Sequence, residues 1–168
     1  MQRIMIIGAP GSGKSTLARA MGDRLGLPVY FMDHIHWTPG WVERDPAEKT
    51  AMVREIIAKD AWVFEGGHST TYADRLARAD LLIWLDLPTG LRVFRVIRRC
   101  WRDSGRVRAD MQADCPEQLS MLPEFLRFIW TTRHSSRARM RALHEGARLP
   151  KKHFRSTREI NAYLETLT

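Results

Sequence analysis

Gly8-Ala9-Pro10-Gly11-Ser12-Gly13-Lys14-Ser15, followed by Thr16, restricts the fold of this chain more than any other stretch. It satisfies G-x-x-x-x-G-K-[ST] at every fixed position, a pattern with a physical mechanism behind it. Glycines let the backbone turn tightly and present successive N–H groups to an anion. A helix opening at about Gly13 adds the positive end of its dipole. Lys14 is expected to reach the outer phosphates of a nucleoside triphosphate, and the Ser15 hydroxyl to take one position on Mg²⁺. The flanks supply the context this requires. Ile4-Met5-Ile6-Ile7 reads as a short, wholly apolar strand, and Leu17, Met21 and Leu25 recur at helical spacing after the loop. Residues Gly8 to Thr16 are therefore the expected ATP-phosphate site.

The same alternation continues downstream. Val29-Tyr30-Phe31-Met32 reads as a second strand ending at Asp33, and residues 34–44 as an aromatic loop carrying His34, His36, Trp37 and Trp41. Asp45-Pro46 opens a helix, with Asp as the cap and Pro in the first turn, whose apolar face is Met52, Val53, Ile56 and Ile57. Trp62-Val63-Phe64 is a third strand leading to Glu65-Gly66-Gly67-His68, and about ten helical residues carrying Leu76 follow. Leu81 to Leu85 is the fourth strand, closed by Asp86 and Pro88.

The next helix is expected to bury Leu91, Phe94, Ile97 and Trp101 and to show Arg92, Arg95, Arg99 and Arg102 as one basic stripe. Residues 103–115 lack apolar periodicity and read as a mobile excursion. From Glu117 a long helix is expected, with Leu122, Phe125, Leu126, Ile129 and Trp130 on one face. Lys152 to Arg155 completes the strand set, and Ser156 or Thr157 caps a last helix through Ile160 and Leu164.

Strands alternating with helices imply a parallel sheet covered on both faces. The expectation is a three-layer α/β fold of the P-loop nucleoside triphosphate hydrolase type with five parallel strands. Residues 1–168 form one domain in this reading, with an acceptor-binding insertion at 34–60 and a lid-like region at 99–118. Ligands of such sheets sit beyond the carboxyl ends of the strands, so the loop, Asp33, Glu65 and Asp86 should gather at one edge.

Charge bears on what binds there. The chain carries a net charge of +8, and residues 92–108 hold Arg92, Arg95, Arg98, Arg99, Arg102, Arg106 and Arg108 against Asp103 alone. Guanidinium forks suit phosphate oxygens, whether of a nucleotide or of nucleic acid. Cys100 and Cys115 are too few for a disulfide scaffold, and His34 and His36 lack identifiable further ligands for a metal. No apolar run approaches the roughly 20 residues needed to cross a bilayer. The first strand begins at once, which leaves no room for a leader. These features point to a cytoplasmic protein with reduced thiols, monomeric or homodimeric.

The run Gly-x-Pro-Gly-x-Gly-Lys from Gly8 to Lys14 resembles the loop of adenylate kinase and other small P-loop kinases. Glu65 to His68 occupies the place of their Asp-Gly-Phe-Pro-Arg segment. Leu85-Asp86-Leu87-Pro88 resembles their fourth strand end, and the arginines from Arg95 onward resemble their hinge and lid. A closer resemblance is to the bacterial DNA topology modulation (FlaR-related) kinase-like proteins. It is carried by Met32 to Trp37, Pro39-Gly40-Trp41, Gly105 to Met111, Cys115-Pro116-Glu117 and Phe128-Ile129-Trp130.

The resemblance implies an adenylate kinase-like, ATP-dependent phosphotransferase using Mg²⁺. In it Arg99 stacks on the adenine, Arg106 and Arg108 close over the transferring phosphate, and Asp33 orients or deprotonates an acceptor hydroxyl unless it only caps a turn. From its place after the third strand, Glu65 is expected to hold a Mg²⁺-bound water unless it only caps backbone, and Asp86 is expected to be structural. The acceptor is a nucleotide or another small hydroxyl or phosphate compound near residues 33–44. Where adenylate kinases grip the acceptor's phosphate with an arginine after the third strand, this chain has Gly67, His68 and Ser69, leaving Arg44 or Arg75 to substitute. A nucleotide-regulated nucleic-acid-binding protein affecting DNA topology and a bare ATPase are the alternative readings.

Overall fold

Four consecutive apolar residues, Ile4 to Ile7, have no accessible surface, because both faces of the strand that carries them are covered. That strand, β1 (Arg3–Gly8), is the centre of the computed structural model, which describes residues 1–167. The remaining strands of the sheet are β2 (Val29–Phe31), β5 (Trp62–Glu65), β6 (Leu81–Leu85) and β7 (Lys151–Phe154). Their order is β2-β5-β1-β6-β7, and every pairing is parallel. This is the five-stranded sheet expected from the sequence.

Strand alternation sorts the core into two layers. Ile4, Ile6, Val63 and Ile83 face α1 (Lys14–Leu25) and α7 (Thr157–Glu165). Met5, Ile7, Phe64 and Trp84 face α3 (Pro46–Ile57), α4 (Tyr72–Arg78) and α6 (Leu122–Gly146). The helix caps read from the sequence are present. Asp45 Oδ1 accepts the N–H groups of Ala47 and Glu48, with Pro46 in the first turn. Ser156 Oγ accepts Glu159 N–H while Glu159 reaches back to Arg155 N–H, a reciprocal cap.

Three local expectations are corrected. Met32 and Asp33 do not extend the second strand. They open a short helix, α2 (Met32–His36), and residues beyond it form a hairpin of β3 (Trp37–Thr38) and β4 (Val42–Glu43). Second, α5 (Thr89–Arg102) is rotated relative to the expected face. Phe94 and Trp101 are 60% and 72% exposed and Leu91 is also exposed, whereas Arg92, Val96 and Cys100 are buried. The cause is Arg92, whose guanidinium donates to Leu87 O, Pro10 O and Thr89 Oγ1 and so turns its own side of the helix inward. Ile129 of α6 then packs against Val96 and Cys100. Third, the long helix starts at Leu122, after a 3-10 turn at Leu119–Met121, and Trp130 lies outside with the Arg133 guanidinium 4.1 Å from its ring centre.

Residues 103–118 fold as an excursion between α5 and α6. Gly105 N–H donates to Glu117 O, Glu117 N–H to Arg106 O and Met111 N–H to Arg108 O. The excursion is tied to the β3–β4 hairpin by Gly40 N–H to Asp114 O and Trp41 Nε1–H to Pro116 O, both 3.0 Å. Among the described residues, no helix is long and apolar enough to cross a membrane.

Gly22 shows how tightly α1 lies on the sheet. A Cβ there would sit 2.2 Å from Val29 Cγ2 and 3.0 Å from Leu27 O. Helix propensity alone favours Gly22→Ala by about 1 kcal/mol. Overpacking costs about 1–3 kcal/mol, so packing should win. Gly22→Ala is expected to lower stability in denaturant unfolding, and Val29→Ala in the same chain to restore part of it. A net gain from Gly22→Ala would contradict this packing.

Candidate active site

The loop between β1 and α1 is built for close backbone approach. Gly13 caps α1 at a φ of +90°, and Gly11 has a φ of +76° with Arg92 O only 2.5 Å from where a Cβ would lie. Neither position accepts another residue without strain. Arg92 therefore braces the loop from outside, through Pro10 O, rather than facing phosphate as the stripe pattern suggested. Ser12 is buried, Ala9 O accepts Ser12 N–H at 3.2 Å and Lys14 Nζ at 3.4 Å, and Thr16 stays exposed at the start of α1. Lys14 thus folds back over its own loop.

Parallel register brings the strand ends level. Glu65 pairs with Ile6 of β1 and with Phe31 of β2, so its side chain emerges beside the loop and next to α2. Ser15 Oγ donates to Glu65 Oε1 at 3.1 Å. Burial pushes the Glu65 carboxyl up to about 7; Lys14 opposes this, Asp33 and Asp110 add to it, and the Ser15 hydrogen bond favours the ionised form. Asp33, the second residue of α2, stands close enough to act electrostatically on both Glu65 and His36. Among the described residues none donates a hydrogen bond to its carboxylate, and Phe31 rather than Asp33 is the helix cap.

Asp86 follows β6 on the other side of β1, where it accepts Arg137 through both oxygens and His153 at 3.3 Å. It takes no part at the loop. Arg44 donates to Ile35 O and pairs with Glu48, while Arg75 is fully buried and donates to Gly66 O and Phe64 O. Both guanidiniums are committed to the protein. A cleft of about 290 Å³ beside α2 is lined by Tyr30, Phe31, His34, Arg44, Ile56 and Gln112 among others.

The arginines expected in the lid divide into two kinds. Arg99 and Arg108 converge on Glu117. Arg99 Nη2 donates to Glu117 Oε1 at 3.3 Å, and Arg108 Nε lies 3.0 Å from Glu117 Oε2 as a contact of charges rather than an aligned hydrogen bond. Arg108 also reaches Asp110 at 3.2 Å, and Arg19 of α1 reaches the same carboxylate at 3.4 Å. Cys100 Sγ–H donates to Glu117 Oε1 at 2.9 Å, and burial followed by this hydrogen bond raises the thiol to about 11, which keeps it protonated. Arg106, by contrast, is exposed and has no side-chain partner among the described residues. Sequence reading missed Asp110 and Glu117, both buried acids in a segment without periodicity. The pairing of Asp110 with Arg108 two residues earlier was the available signal.

An oxygen-only set of Ser15 and Glu65, with Asp33 and Asp110 nearby, suits a hard cation. Among the described residues no three His, Cys, Asp or Glu side chains converge as a metal cage.

Several solved structures share this architecture. Shikimate kinase from Acinetobacter baumannii, in complex with shikimate, matches 98% of this chain over 92% of its own, with 20% identity and a TM-score of 0.59. Shikimate kinase from Bacteroides thetaiotaomicron matches 99% over 96% at 15% identity, TM-score 0.60. Deoxyadenosine kinase from M. mycoides with bound dATP matches 98% over 96% at 14% identity, TM-score 0.57. The fold is that of the P-loop kinases. No protein-family model matches the sequence, and no curated protein matches it either.

The raised Glu65 carboxyl has a consequence for stability. A folded pKa above the unfolded value contributes stability that is complete below about pH 4.5 and lost as pH rises through about 7. Glu65→Gln removes that dependence. Between pH 5 and 8 the ligand-free wild type should lose up to about 3 kcal/mol more than the variant in denaturant unfolding. Parallel pH profiles for the two chains would show that Glu65 does not hold its proton.

Proposed function

We propose that this chain is an ATP-dependent phosphotransferase that uses Mg-ATP as donor and a small-molecule or nucleotide hydroxyl as acceptor. The observation that carries this reading is the meeting, at one sheet edge, of Lys14 and the Ser15–Glu65 pair with the unbonded Asp33 carboxylate. A bare triphosphate-binding loop needs no such acid beside it. The P-loop kinase fold supports the same reading.

Phosphoryl transfer asks a protein mainly for positioning and charge neutralisation. In the proposed mechanism the backbone of Gly8 to Thr16 binds the donor phosphates and Lys14 neutralises their developing charge. Ser15 and Glu65 would hold Mg²⁺. When bound, the metal would supply positive charge against the donor phosphates. Asp33 orients the acceptor hydroxyl and takes its proton. Residues 99–118 act as a lid in which Glu117 and Asp110 preset Arg99 and Arg108, while Arg106 is free to reach the transferring group. Residues 34–60 receive the acceptor.

Two measurements test this. ADP formation from ATP, with a panel of nucleotides and hydroxylated metabolites and with ATP alone as control, should rise with at least one acceptor. Lys14→Met should reduce it by about 10²-fold or more. Unchanged turnover in Lys14→Met would sink the mechanism, and a rate independent of every acceptor would favour a bare ATPase. Separately, Mg-ATP binding at pH 7 should release about half a proton as Glu65 is forced into its ionised form. Calorimetry in two buffers of different ionisation enthalpy measures this, and Glu65→Gln should abolish the difference between them.

A further inference from the structure

Nitrogen groups that the donor loop does not use gather between α3, the β3–β4 hairpin and the turn after β5. Lys49 of α3 is only 4% exposed. Its Nζ donates to Glu43 Oε1 at 2.6 Å and lies 3.5 Å from His36 Nδ1. His68 Nε2 lies 3.3 Å from Thr50 Oγ1, one residue along the same helix. Behind the turn, the fully buried Arg75 spends two nitrogens on backbone carbonyls, has no carboxylate within ion-pairing distance among the described residues, and leaves Nε unpartnered.

The charges here do not balance. Lys49 and Arg75 are buried cations, and Glu43, the carboxylate bonded to Lys49, is 56% exposed at the rim. Glu65 acts on Arg75 from the loop side, but its raised carboxyl is only partly ionised near neutral pH. Burial and then Lys49 hold His36 below its ordinary value, against smaller opposing effects of Glu43 and Asp33. Burial, Lys49, Arg75 and His36 do the same to His68. Glu43 meets Lys49 and lies 3.8 Å from His36 Nε2, but Arg75 has no such partner among the described residues, so two buried cations share one carboxylate at the rim and the cluster keeps a net positive charge. Asp33, which acts on His36, lies toward the donor loop from this cluster.

We infer that Lys49, with His36 and His68, forms a subsite for an anionic group, carboxylate or phosphate, on the phosphoryl acceptor. The acceptor is then a small compound with its reacting hydroxyl at Asp33 and a negative charge at the other end. An incoming anion exchanges with Glu43 for Lys49 and draws protons onto the two rings. The word acceptor rests on the kinase reading above; the anion subsite does not.

Inorganic phosphate and, separately, acetate are titrated into the full chain saturated with Mg-ADP, while NMR follows the ring Cε1–H signals of all six histidines. One or both anions should raise the pKa of His36 and His68 by about 1, as an opposite charge at close range does, with the other rings as internal controls. A response to phosphate alone identifies a phosphorylated acceptor, and a response to acetate a carboxylated one. Lys49→Gln should weaken that binding at least tenfold, and Lys49→Arg, which keeps the charge, should retain it and serves if the Gln variant does not fold. Rings silent to both anions in the wild type, or equally responsive in Lys49→Gln, would overturn the subsite. Failure of Mg-ADP to bind in the same samples counts against the kinase reading alone, because the ring signals still report on the subsite.

Discussion

A carboxyl group buried at the end of a central strand is costly, and much of this sheet edge is arranged around Glu65. The strand register leaves it no route to solvent, because Ile6 and Phe31 flank it on neighbouring strands. Its needs are met by the Ser15 hydroxyl and by Lys14, both supplied by the loop that β1 delivers to the same level. The loop and the acid are therefore parts of one electrostatic unit. Two further acids, Asp33 and Asp110, arrive from a short helix and from the excursion between α5 and α6, and each makes ionisation of Glu65 harder. An edge that crowds acids around one lysine is poised for cations and for groups that carry them.

The acids of the excursion between α5 and α6 are met by arginines. Arg99 and Arg108 are held by Glu117, and Arg108 and Arg19 by Asp110. Removing one member of a buried ion pair leaves the other uncompensated, so these acids keep the arginines in place even where they add little net stability. Preset guanidiniums lose less freedom on meeting a phosphate than free ones do. Arg106 has the reverse character, exposed and without a side-chain partner among the described residues.

The strand set and its edge were legible in the sequence because buried parallel strands are short apolar runs and the glycine loop fixes where the first one ends. Glu65 and the two caps at Asp45 and Ser156 were legible for the same local reasons. The face of α5 was not. Its sequence carries two stripes of comparable apolar character, Leu91-Phe94-Trp101 and Val96-Cys100, and periodicity cannot choose between them. The choice is made by Arg92, whose hydrogen bonds to Pro10 O and Leu87 O are set by tertiary placement. The hairpin at Trp37 to Glu43 escaped because two-residue strands have no period to read. Glu117 and Asp110 escaped because a polar run without periodicity reads as mobile whether or not its charges are paired, and because Arg99 and Arg19, which complete the pairing with Arg108, lie outside that run.

The hairpin and the excursion are also joined to each other, and this joint constrains how the edge can open. Gly40 N–H to Asp114 O, Trp41 Nε1–H to Pro116 O and the Cys115 thiol to Thr38 O cross between them. Among the described residues the non-glycine positions with left-handed backbone, Trp41 at +62° and Asp114 at +57°, both sit at this contact. Strain of that kind persists only where the surroundings over-determine it. A rigid displacement of residues 103–118 away from the loop would break the crossing hydrogen bonds unless the hairpin moved as well. The hairpin in turn carries Glu43, which is bonded to Lys49. A displacement of residues 103–118 that kept these hydrogen bonds would therefore carry with it the hairpin and the Glu43 carboxylate bonded to Lys49.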